Sequence, residues 1–187
     1  MRSFGSDYPF GETLRNAHLA KVVQSEDCIK KISNWVKAES NIFYFCGNVG
    51  TGKTYFCAAW YNHLIEQKKR WVRAFVEYEF FTMLREEISK NFDPFHKIKS
   101  ICECPYVILD DMGSSSMTEW QKEMLFEFIN MRNESGFPTL ITSNLTRKEL
   151  KEKFHDRFES RIFASKNTVI ELNGEDRRQE SNFKEER

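Results

Sequence analysis

The sequence predicts one α/β domain in which helices cover both faces of a mostly parallel β-sheet. Short apolar runs of strand length alternate with segments of helical period along most of the 187 residues, and this alternation is typical of parallel sheets. A glycine-rich segment and an acidic pair each directly follow one of the apolar runs. Parallel sheets bind their ligands at the carboxyl ends of the strands, so the position of these polar segments indicates the same fold.

Five apolar runs have the length and composition of buried strands. The first, IFYFC after Asn41, is continuously apolar, which is typical of a strand covered on both faces. The third ends at Leu109 and is closed by two aspartates. The predicted strands are 42–46, 71–78, 106–109, 138–143 and 167–172.

The segments between these runs carry the helical signals. Ile32 and Trp35 recur at helical spacing after Ser25, whose side chain suits an N-cap. Thr118 and Gln121 have the spacing of a capping box. One predicted helix begins after Ser25, and the others are 55–69, 79–90, 118–131, 147–153 and 155–163. The segment 91–104 is predicted to be less regular.

The composition excludes several classes of protein. The 28 basic and 28 acidic side chains give a formal net charge of zero, so nucleic-acid contact has to come from a local patch. No stretch reaches the roughly 20 apolar residues of a membrane span, and the amino terminus lacks the apolar run of a signal peptide. Five irregularly spaced cysteines favour free thiols in a reducing environment. We therefore expect a cytoplasmic protein without a membrane partner.

The strongest functional signal is the segment GNVGTGKT, which follows the first predicted strand and opens the next helix. It fits the phosphate-binding pattern GxxxxGK[ST], in which glycines let backbone N–H groups point at a phosphate. Lys53 is placed to reach the β- and γ-phosphates of ATP, and Thr54 offers a hydroxyl to Mg²⁺. The predicted ATP-binding residues here are Gly47, Asn48, Val49, Gly50, Thr51, Gly52, Lys53, Thr54 and Tyr55.

A second signal is the acidic pair Asp110 and Asp111 at the end of the third strand. Carboxylates that close a buried strand are costly unless they meet a cation or a donor. We expect Asp110 to bind Mg²⁺, directly or through water, and Asp111 to polarise the water that attacks the γ-phosphate. The alternative is an acidic turn at the start of a loop, because the following residues are loop-like.

These two motifs, followed by TLITSN and DRFESR, resemble those of the AAA+ ATPases. Within that family the chain is similar to the DnaC/DnaI group of helicase loaders, with the IstB transposition helpers as near relatives. The resemblance implies a three-layer αβα P-loop core with a five-stranded parallel sheet of order 5-1-4-3-2. Only nine residues follow Arg178, so we expect no substantial helical lid. The resemblance covers residues 22–178, the predicted ATPase core. Residues 1–21 show no clear period and are predicted to be a lead-in segment, and the charged residues 179–187 are predicted to be a tail.

The resemblance assigns roles to two polar residues near the nucleotide. Asn144, at the end of the fourth strand, matches the sensor residue that helps to position the attacking water, although an asparagine there also suits a turn. Arg178 matches a second sensor that binds the nucleotide, and the adjacent Arg177 fits the same pattern one residue earlier.

The resemblance also implies an active site shared between subunits. Arg161 matches the arginine finger, a catalytic residue that reaches the γ-phosphate bound by a neighbouring subunit. Arg157, four residues earlier on the same helical face, would support it. The alternative is that both arginines are surface partners of Asp156 or Glu159.

The implied function is an Mg²⁺-dependent ATPase that loads a DnaB-like hexameric helicase in DNA replication. Such a loader binds single-stranded DNA and self-associates into an ATP-dependent oligomer or spiral. Aromatic stacking beside basic side chains is suited to single-stranded DNA, and the alternative is that these aromatics are core and the lysines surface. The candidate residues are Phe80, Phe81, Lys90, Phe92, Phe95, Lys97 and Lys99.

Three other functions remain open from the sequence. An IstB-like ATPase helper of transposition would act on duplex DNA, whereas a degenerate adaptor would bind ATP without hydrolysing it. The intact set of Lys53, Asp110, Asp111 and Asn144 favours hydrolysis over the adaptor. The segment with Arg161 disfavours a small-molecule kinase.

Overall fold

A five-stranded sheet lies at the centre of the computed structural model, which describes residues 8–22 and 25–172. Its strands are β1 (Ile42–Gly47), β2 (Val72–Val76), β3 (Tyr106–Met112), β4 (Thr139–Ser143) and β5 (Thr168–Leu172). The strand order is β2-β3-β4-β1-β5, and every pairing is parallel. Counted from β5 instead of β2, this is the order 5-1-4-3-2, so the predicted sheet is confirmed.

Helices connect the strands and cover both faces of the sheet. Within the described ranges, none of them has the length and apolar character needed to cross a membrane. The helices are α1 (Glu26–Ala38), α2 (Lys53–Glu66), α3 (Glu77–Ser89), α4 (Pro94–Cys102), α5 (Glu119–Ser135), α6 (Arg147–Lys153) and α7 (Asp156–Ile162), and short 3₁₀ turns lie at Glu12–Leu14 and Leu19–Lys21.

The side chains of β1 separate two apolar layers. Ile42 and Tyr44 pack in the layer that contains α3 to α7, whereas Phe43 and Phe45 pack in the layer of α1 and α2. Successive side chains of a strand point to opposite faces, so one continuous apolar run serves both layers. The side chains from Ile42 to Cys46 are at most 1% exposed, which explains why the run shows no polar alternation.

Two predicted helix caps are present in the structure. The Ser25 hydroxyl accepts a hydrogen bond of 3.3 Å from the Cys28 N–H at the start of α1. At α5, Thr118 and Gln121 form the predicted capping box, in which Gln121 Oε1 accepts from the Thr118 N–H at 3.0 Å. Each bond satisfies a backbone or side-chain group that a helix end would otherwise leave unpaired.

The boundary between β2 and α3 differs from the prediction. β2 ends at Val76 and α3 begins at Glu77, so the predicted strand 71–78 was too long. The Val76 N–H donates to Glu79 Oε2 at 3.1 Å, and this cap starts the helix two residues earlier than predicted. Aromatic and β-branched residues continue across the boundary, so their strand propensity concealed it.

The segment 91–104, predicted to be less regular, contains α4. Asp93 caps this helix by accepting from the Phe95 N–H at 2.9 Å, and Pro94 occupies its first position. Both features favour a helix start. The prediction was wrong because α4 has nine residues, which is too short for a clear helical period.

The lead-in segment packs along α2. The rings of Tyr8, Phe10 and Tyr61 meet edge-to-face, with centroids 5.8–5.9 Å apart. Asn62 Nδ2 donates to the carbonyl oxygen of Ala17 at 2.8 Å. This part of the lead-in is therefore anchored to the helix that follows the phosphate loop.

Arg132 of α5 is a fully buried arginine, and its acceptors in the described part of the chain are all neutral. Burial lowers the pKa of its guanidinium to about 10, so the group remains charged at neutral pH. It joins the end of α5 to the segments that lead into β3 and β4. The acceptors are Thr139 Oγ1 at 2.7 Å and the carbonyl oxygens of Cys102, Cys104, Pro105 and Pro138 at 2.9, 2.6, 3.2 and 2.9 Å.

Candidate functional site: the carboxyl edge of the sheet

The phosphate loop lies between β1 and α2 at the carboxyl edge of the sheet. Gly47 has a φ of 143°, and a Cβ at this position would lie 2.3 Å from the carbonyl oxygen of Leu172. A side chain would therefore collide with the backbone of β5, which explains the glycine at the start of the loop. The loop then leads directly into the amino end of α2, whose unpaired N–H groups favour an anion.

Lys53 is folded against the loop that precedes it. The residue is 7% exposed, and its Nζ donates to the carbonyl oxygens of Gly47 at 2.8 Å and Asn48 at 2.7 Å. The ammonium thus lies within the curve of the loop, where it can neutralise a bound phosphate. Tyr55 was predicted as part of this site, but its hydroxyl accepts from the His18 N–H at 3.3 Å and so contacts the lead-in segment.

Asp110 is a buried carboxylate held by two neighbouring side chains. It is 2% exposed, and its Oδ1 accepts hydrogen bonds from the Thr142 hydroxyl and, at 3.5 Å, from Cys57 Sγ. Burial raises the pKa of the Cys57 thiol well above its usual value, and the nearby carboxylate charge raises it further. The thiol therefore stays protonated and donates. β3 continues through this residue to Met112, beyond the predicted end at Leu109.

The oxygen atoms of Asp110 and Thr54 are the groups that fit a Mg²⁺ ion arriving with a nucleotide. Cys57, which touches Asp110, lies three residues after Thr54 and therefore on the same face of α2. Mg²⁺ often takes one or two protein oxygens and completes its shell with phosphate and water. Among the described residues, no group of three or more His, Cys, Asp or Glu is arranged to hold a metal by itself.

Asp111 and Asn144 are brought together across neighbouring strands. Asn144 Nδ2 donates to Asp111 Oδ1 at 3.2 Å. Asp111 has a φ of 58° and lies at an irregularity in the β3–β4 pairing, so its side chain leaves the regular alternation of the strand. The predicted pairing of the candidate base with the sensor amide is therefore present.

Thr142 of β4 was not identified from the sequence, although it bonds to the side chain of Asp110 and to the backbone of Asp111. Its hydroxyl donates to Asp110 Oδ1 and accepts from the Asp111 N–H at 3.0 Å. The available signal was a hydroxyl in the middle of an apolar strand, where a buried polar group needs partners. The sequence alone does not say which partners those are.

If this site hydrolyses ATP as the sequence predicts, Thr142→Val should lower kcat by about 10- to 100-fold, as loss of an orienting hydrogen bond commonly does. The valine removes the donor to Asp110 and leaves the Asp111 N–H without its acceptor. Thr142→Ser retains the hydroxyl and is the matched control. Steady-state kinetics of both variants, with circular dichroism as a check of folding, tests this role, and equal kcat values for the two would exclude it.

Arg157 and Arg161 lie on α7 and line a surface cleft of 370 Å³ between α5 and α7. Arg161 Nε donates to Asn130 Oδ1 at 2.7 Å. The acidic residues proposed as alternative partners bond elsewhere, since Glu159 pairs with Arg147 and Asp156 pairs with Lys151 at 3.3 Å. The cleft lining contains no residue of the phosphate loop or the acidic pair, so the arginines form a separate cationic surface.

The aromatic residues of the segment 80–99 divide into two groups. Phe80 and Phe81 are 0% and 2% exposed in the core, so their prediction as candidates for stacking on DNA was wrong. Their helical spacing turns them toward the sheet. Phe92 and Phe95 are 61% and 42% exposed and remain available to a partner.

Three sequence predictions concern residues outside the described part of the chain. Arg178, its neighbour Arg177 and the tail all follow Leu172, the last described residue. The expected lack of a helical lid concerns the same region. These remain predictions.

Comparison with known proteins shows similarity to replication proteins. Residues 16–168 match the family described as the bacterial DnaA ATPase domain. The chain is 29% identical over 139 residues to the replicative helicase loader DnaI of Bacillus subtilis, covering 74% of this chain and 43% of that protein. It is 24% identical to the chromosomal replication initiator DnaA of Rippkaea orientalis, covering 85% of this chain and 34% of that protein. The chain thus spans less than half the length of these curated relatives.

Solved structures of replication proteins have the same fold. A crystal structure of the DnaC helicase loader superposes with a TM-score of 0.75 at 21% identity, covering 87% of this chain and 100% of that one. A crystal structure of DnaI has a TM-score of 0.68 at 23% identity and covers 89% of this chain and 93% of that one. DnaA from Aquifex aeolicus bound to AMPPCP has a TM-score of 0.70 at 20% identity, covering 90% of this chain and 55% of that one.

Proposed function

The chain belongs to the bacterial DnaA ATPase domain family, and from this membership we propose that it is an Mg²⁺-dependent ATPase that loads a replicative helicase. In this proposal it binds ATP and single-stranded DNA and delivers a DnaB-like hexameric helicase. The similarity to DnaI and to the DnaC fold supports the loader role. An IstB-like helper of transposition is the alternative, and it differs in acting on duplex DNA.

The observation that carries the ATPase proposal is the grouping of charged side chains at one edge of the sheet. Lys53 lies against the phosphate loop that follows β1. The acidic pair lies near the carboxyl end of β3, which is two positions away from β1 in the sheet. Asp111, held by Asn144 through a 3.2 Å bond, accepts a proton from the attacking water. Lys53 stabilises the negative charge that develops on the phosphate.

Mg²⁺ would enter this site together with ATP. Thr54 and the Asp110 carboxylate are the protein groups that would hold it, and the ion would neutralise phosphate charge. Thr142 and Cys57 orient Asp110 from within the protein. Their hydrogen bonds restrict the carboxylate to one position, which lowers the cost of ordering it when the nucleotide binds.

Arg161 completes the site of a neighbouring subunit in this proposal. The cleft that it lines with Arg157 shares no residue with the phosphate loop, so it is suited to act on a second molecule. Asn130 holds the guanidinium through a 2.7 Å bond to Nε, which leaves its other nitrogens to contact a phosphate. A shared site explains why the two sets of catalytic groups occupy different surfaces.

We expect Arg161→Ala to lower kcat for ATP hydrolysis by about 10³-fold, as loss of an arginine finger does, with ATP affinity little changed. Arg70→Ala, which removes an exposed arginine just before β2, is the control and retains activity. Turnover per subunit should also rise with protein concentration. An Arg161→Ala protein as active as the wild type would contradict the shared site.

Mixing two inactive variants provides a sharper test of the same claim. The Lys53→Ala subunit lacks the phosphate contact but retains Arg161. The Arg161→Ala subunit lacks that arginine but retains the nucleotide site. A mixed assembly contains intact sites between the two kinds of subunit, so activity should return on mixing. Failure to recover activity, with association confirmed by light scattering, would contradict a site formed between subunits.

The choice between loader and transposition helper rests on the type of DNA. We expect ATP-dependent binding to single-stranded DNA, weakened at least about fivefold by Phe92→Ala with Phe95→Ala, because a lost stacking contact costs about 1–3 kcal/mol. Trp71→Ala removes a 68% exposed aromatic outside this segment and is the control. Fluorescence anisotropy with labelled single strands and duplexes measures this. Binding to duplex alone would favour the transposition helper.

A further inference from the structure

Glu77 is a buried carboxylate that the proposed chemistry does not use. It begins α3, is 3% exposed, and its Oε2 accepts from the Gly113 N–H. Its Oε1 accepts from the Ser115 hydroxyl at 2.8 Å. Burial raises the pKa of Glu77, and these two hydrogen bonds oppose the rise. A buried carboxylate is costly unless it is hydrogen-bonded or paired, and the two donors of this loop meet that requirement.

Lys153 binds the carbonyl groups of the same loop. Its Nζ donates to the carbonyl oxygens of Gly113 at 2.5 Å and Ser115 at 2.6 Å. Lys153 is the last residue of α6, the helix that precedes the arginine-bearing helix α7 in the chain. Two side chains of opposite charge, from two different helices, therefore fix the N–H and C=O groups of one short loop. We call residues 113–115 the clamped loop.

The clamped loop follows Asp111 by a single residue, so its position determines where that carboxylate lies. Gly113 has a φ of 80°, and a Cβ there would lie 2.5 Å from Leu145 Cδ1. The Met112 carbonyl between them accepts from the Ser143 hydroxyl at 2.6 Å. Asp111 itself has a φ of 58°, a backbone conformation that needs support from its surroundings.

We propose that Glu77 and Lys153 are positioning residues that together hold the N–H, hydroxyl and carbonyl groups of the clamped loop and thereby keep Asp111 in place for hydrolysis. The proposal rests on the ATPase activity proposed above. Neither residue touches the nucleotide in this proposal; both act through the backbone that carries Asp111. A displacement of about 1 Å at a catalytic group can lower a rate about 100-fold, so a clamp at this point is functionally significant.

Variants of Glu77 separate positioning from direct catalysis. Glu77→Leu removes both acceptors while keeping the bulk, and we expect kcat to fall about 10- to 100-fold with the Kd for ATP within about twofold. Glu77→Gln retains an oxygen for the Gly113 N–H and an amide for the Ser115 hydroxyl, so it should keep kcat within about threefold. Glu86→Leu, an exposed glutamate on the same helix, is the matched control.

Variants of Lys153 test the second residue of the clamp. Lys153→Met should lower kcat by a similar factor, whereas Lys153→Arg retains donors for both carbonyl oxygens and should restore most of it. Lys148→Met is the control, since Lys148 is 86% exposed on the same helix. If Lys153 acts through Asp111, Lys153→Met combined with Asp111→Asn should add little to the loss from Asp111→Asn alone.

The measurements are ATP turnover, ATP binding followed with a fluorescent analogue, and thermal unfolding of each variant. Folded Glu77→Leu and Lys153→Met proteins with wild-type kcat would overturn the proposal, as would a Glu77→Gln protein as impaired as Glu77→Leu. If Glu77→Leu does not fold, the Lys153 variants decide the question alone. A wild-type protein that binds ATP without hydrolysing it would instead refute the ATPase function itself, and the clamp proposal with it.

Discussion

Asp111→Asn is expected to lower kcat for ATP hydrolysis by about 10²- to 10⁴-fold, the range for loss of a general base, with ATP affinity nearly unchanged. The amide matches the carboxylate in size but does not accept a proton from water. Asparagine also tolerates a positive φ as well as aspartate does, so the 58° φ at this position adds no strain to the variant. The loss therefore reports the charge of Asp111 rather than a change of backbone.

Steady-state turnover and equilibrium ATP binding of this variant test the prediction. Asp156→Asn makes the same chemical change at a side chain that is 80% exposed, and it should behave as the wild type. Asp111→Ala should also be inactive, but alanine in the left-handed region adds backbone strain, so its loss of kcat would combine two effects. If Asp111→Asn retained most of its activity, a different group would have to activate the water.

The parts of the fold predicted correctly depend on local patterns. The run IFYFC is apolar throughout because β1 is covered on both faces, and the phosphate loop has a fixed spacing of glycine, lysine and threonine. The strand order, by contrast, came from the family resemblance. No local pattern states which strands are neighbours, since pairing joins residues as distant as Phe43 and Thr168.

The parts that the sequence did not predict depend on long-range contacts. Thr142 acts on Asp110 and Asp111 across a strand pairing, and Glu77 reaches Gly113 from the start of α3. A lone threonine or glutamate carries no motif, so its role appears only when the fold brings its partners together. Phe80 is the converse case, because its side chain is suited to stacking on DNA but is buried in the core.

Arg132 differs from these residues because its hydrogen bonds hold segments that lead into the strands rather than groups of the candidate site. Among the described residues its guanidinium has no carboxylate partner, and its donors instead satisfy carbonyl groups just before β3 and β4. Both segments lie at the amino edge of the sheet, away from the phosphate loop. The arginine therefore fixes the starting positions of the two strands that carry the acidic pair and Asn144 at their other ends.

Arg132→Met is expected to lower the free energy of unfolding by at least about 3 kcal/mol, because each buried polar group left without a partner costs about 1–3 kcal/mol. Arg132→Lys should recover only part of this loss, since an ammonium has three donors on one atom and does not span the five acceptors. Arg85→Met, at an exposed position on α3, is the control and should change stability by less than about 0.5 kcal/mol.

Urea denaturation followed by tryptophan fluorescence measures these differences, and the dependence on urea concentration should stay the same if the variants unfold in the same way. Methionine matches the length of the arginine stem, so a loss for Arg132→Met reports the hydrogen bonds more than the packing. A folded Arg132→Met protein within about 1 kcal/mol of the wild type would mean that water enters and satisfies the carbonyl groups. The buried guanidinium would then be dispensable for holding β3 and β4 in position.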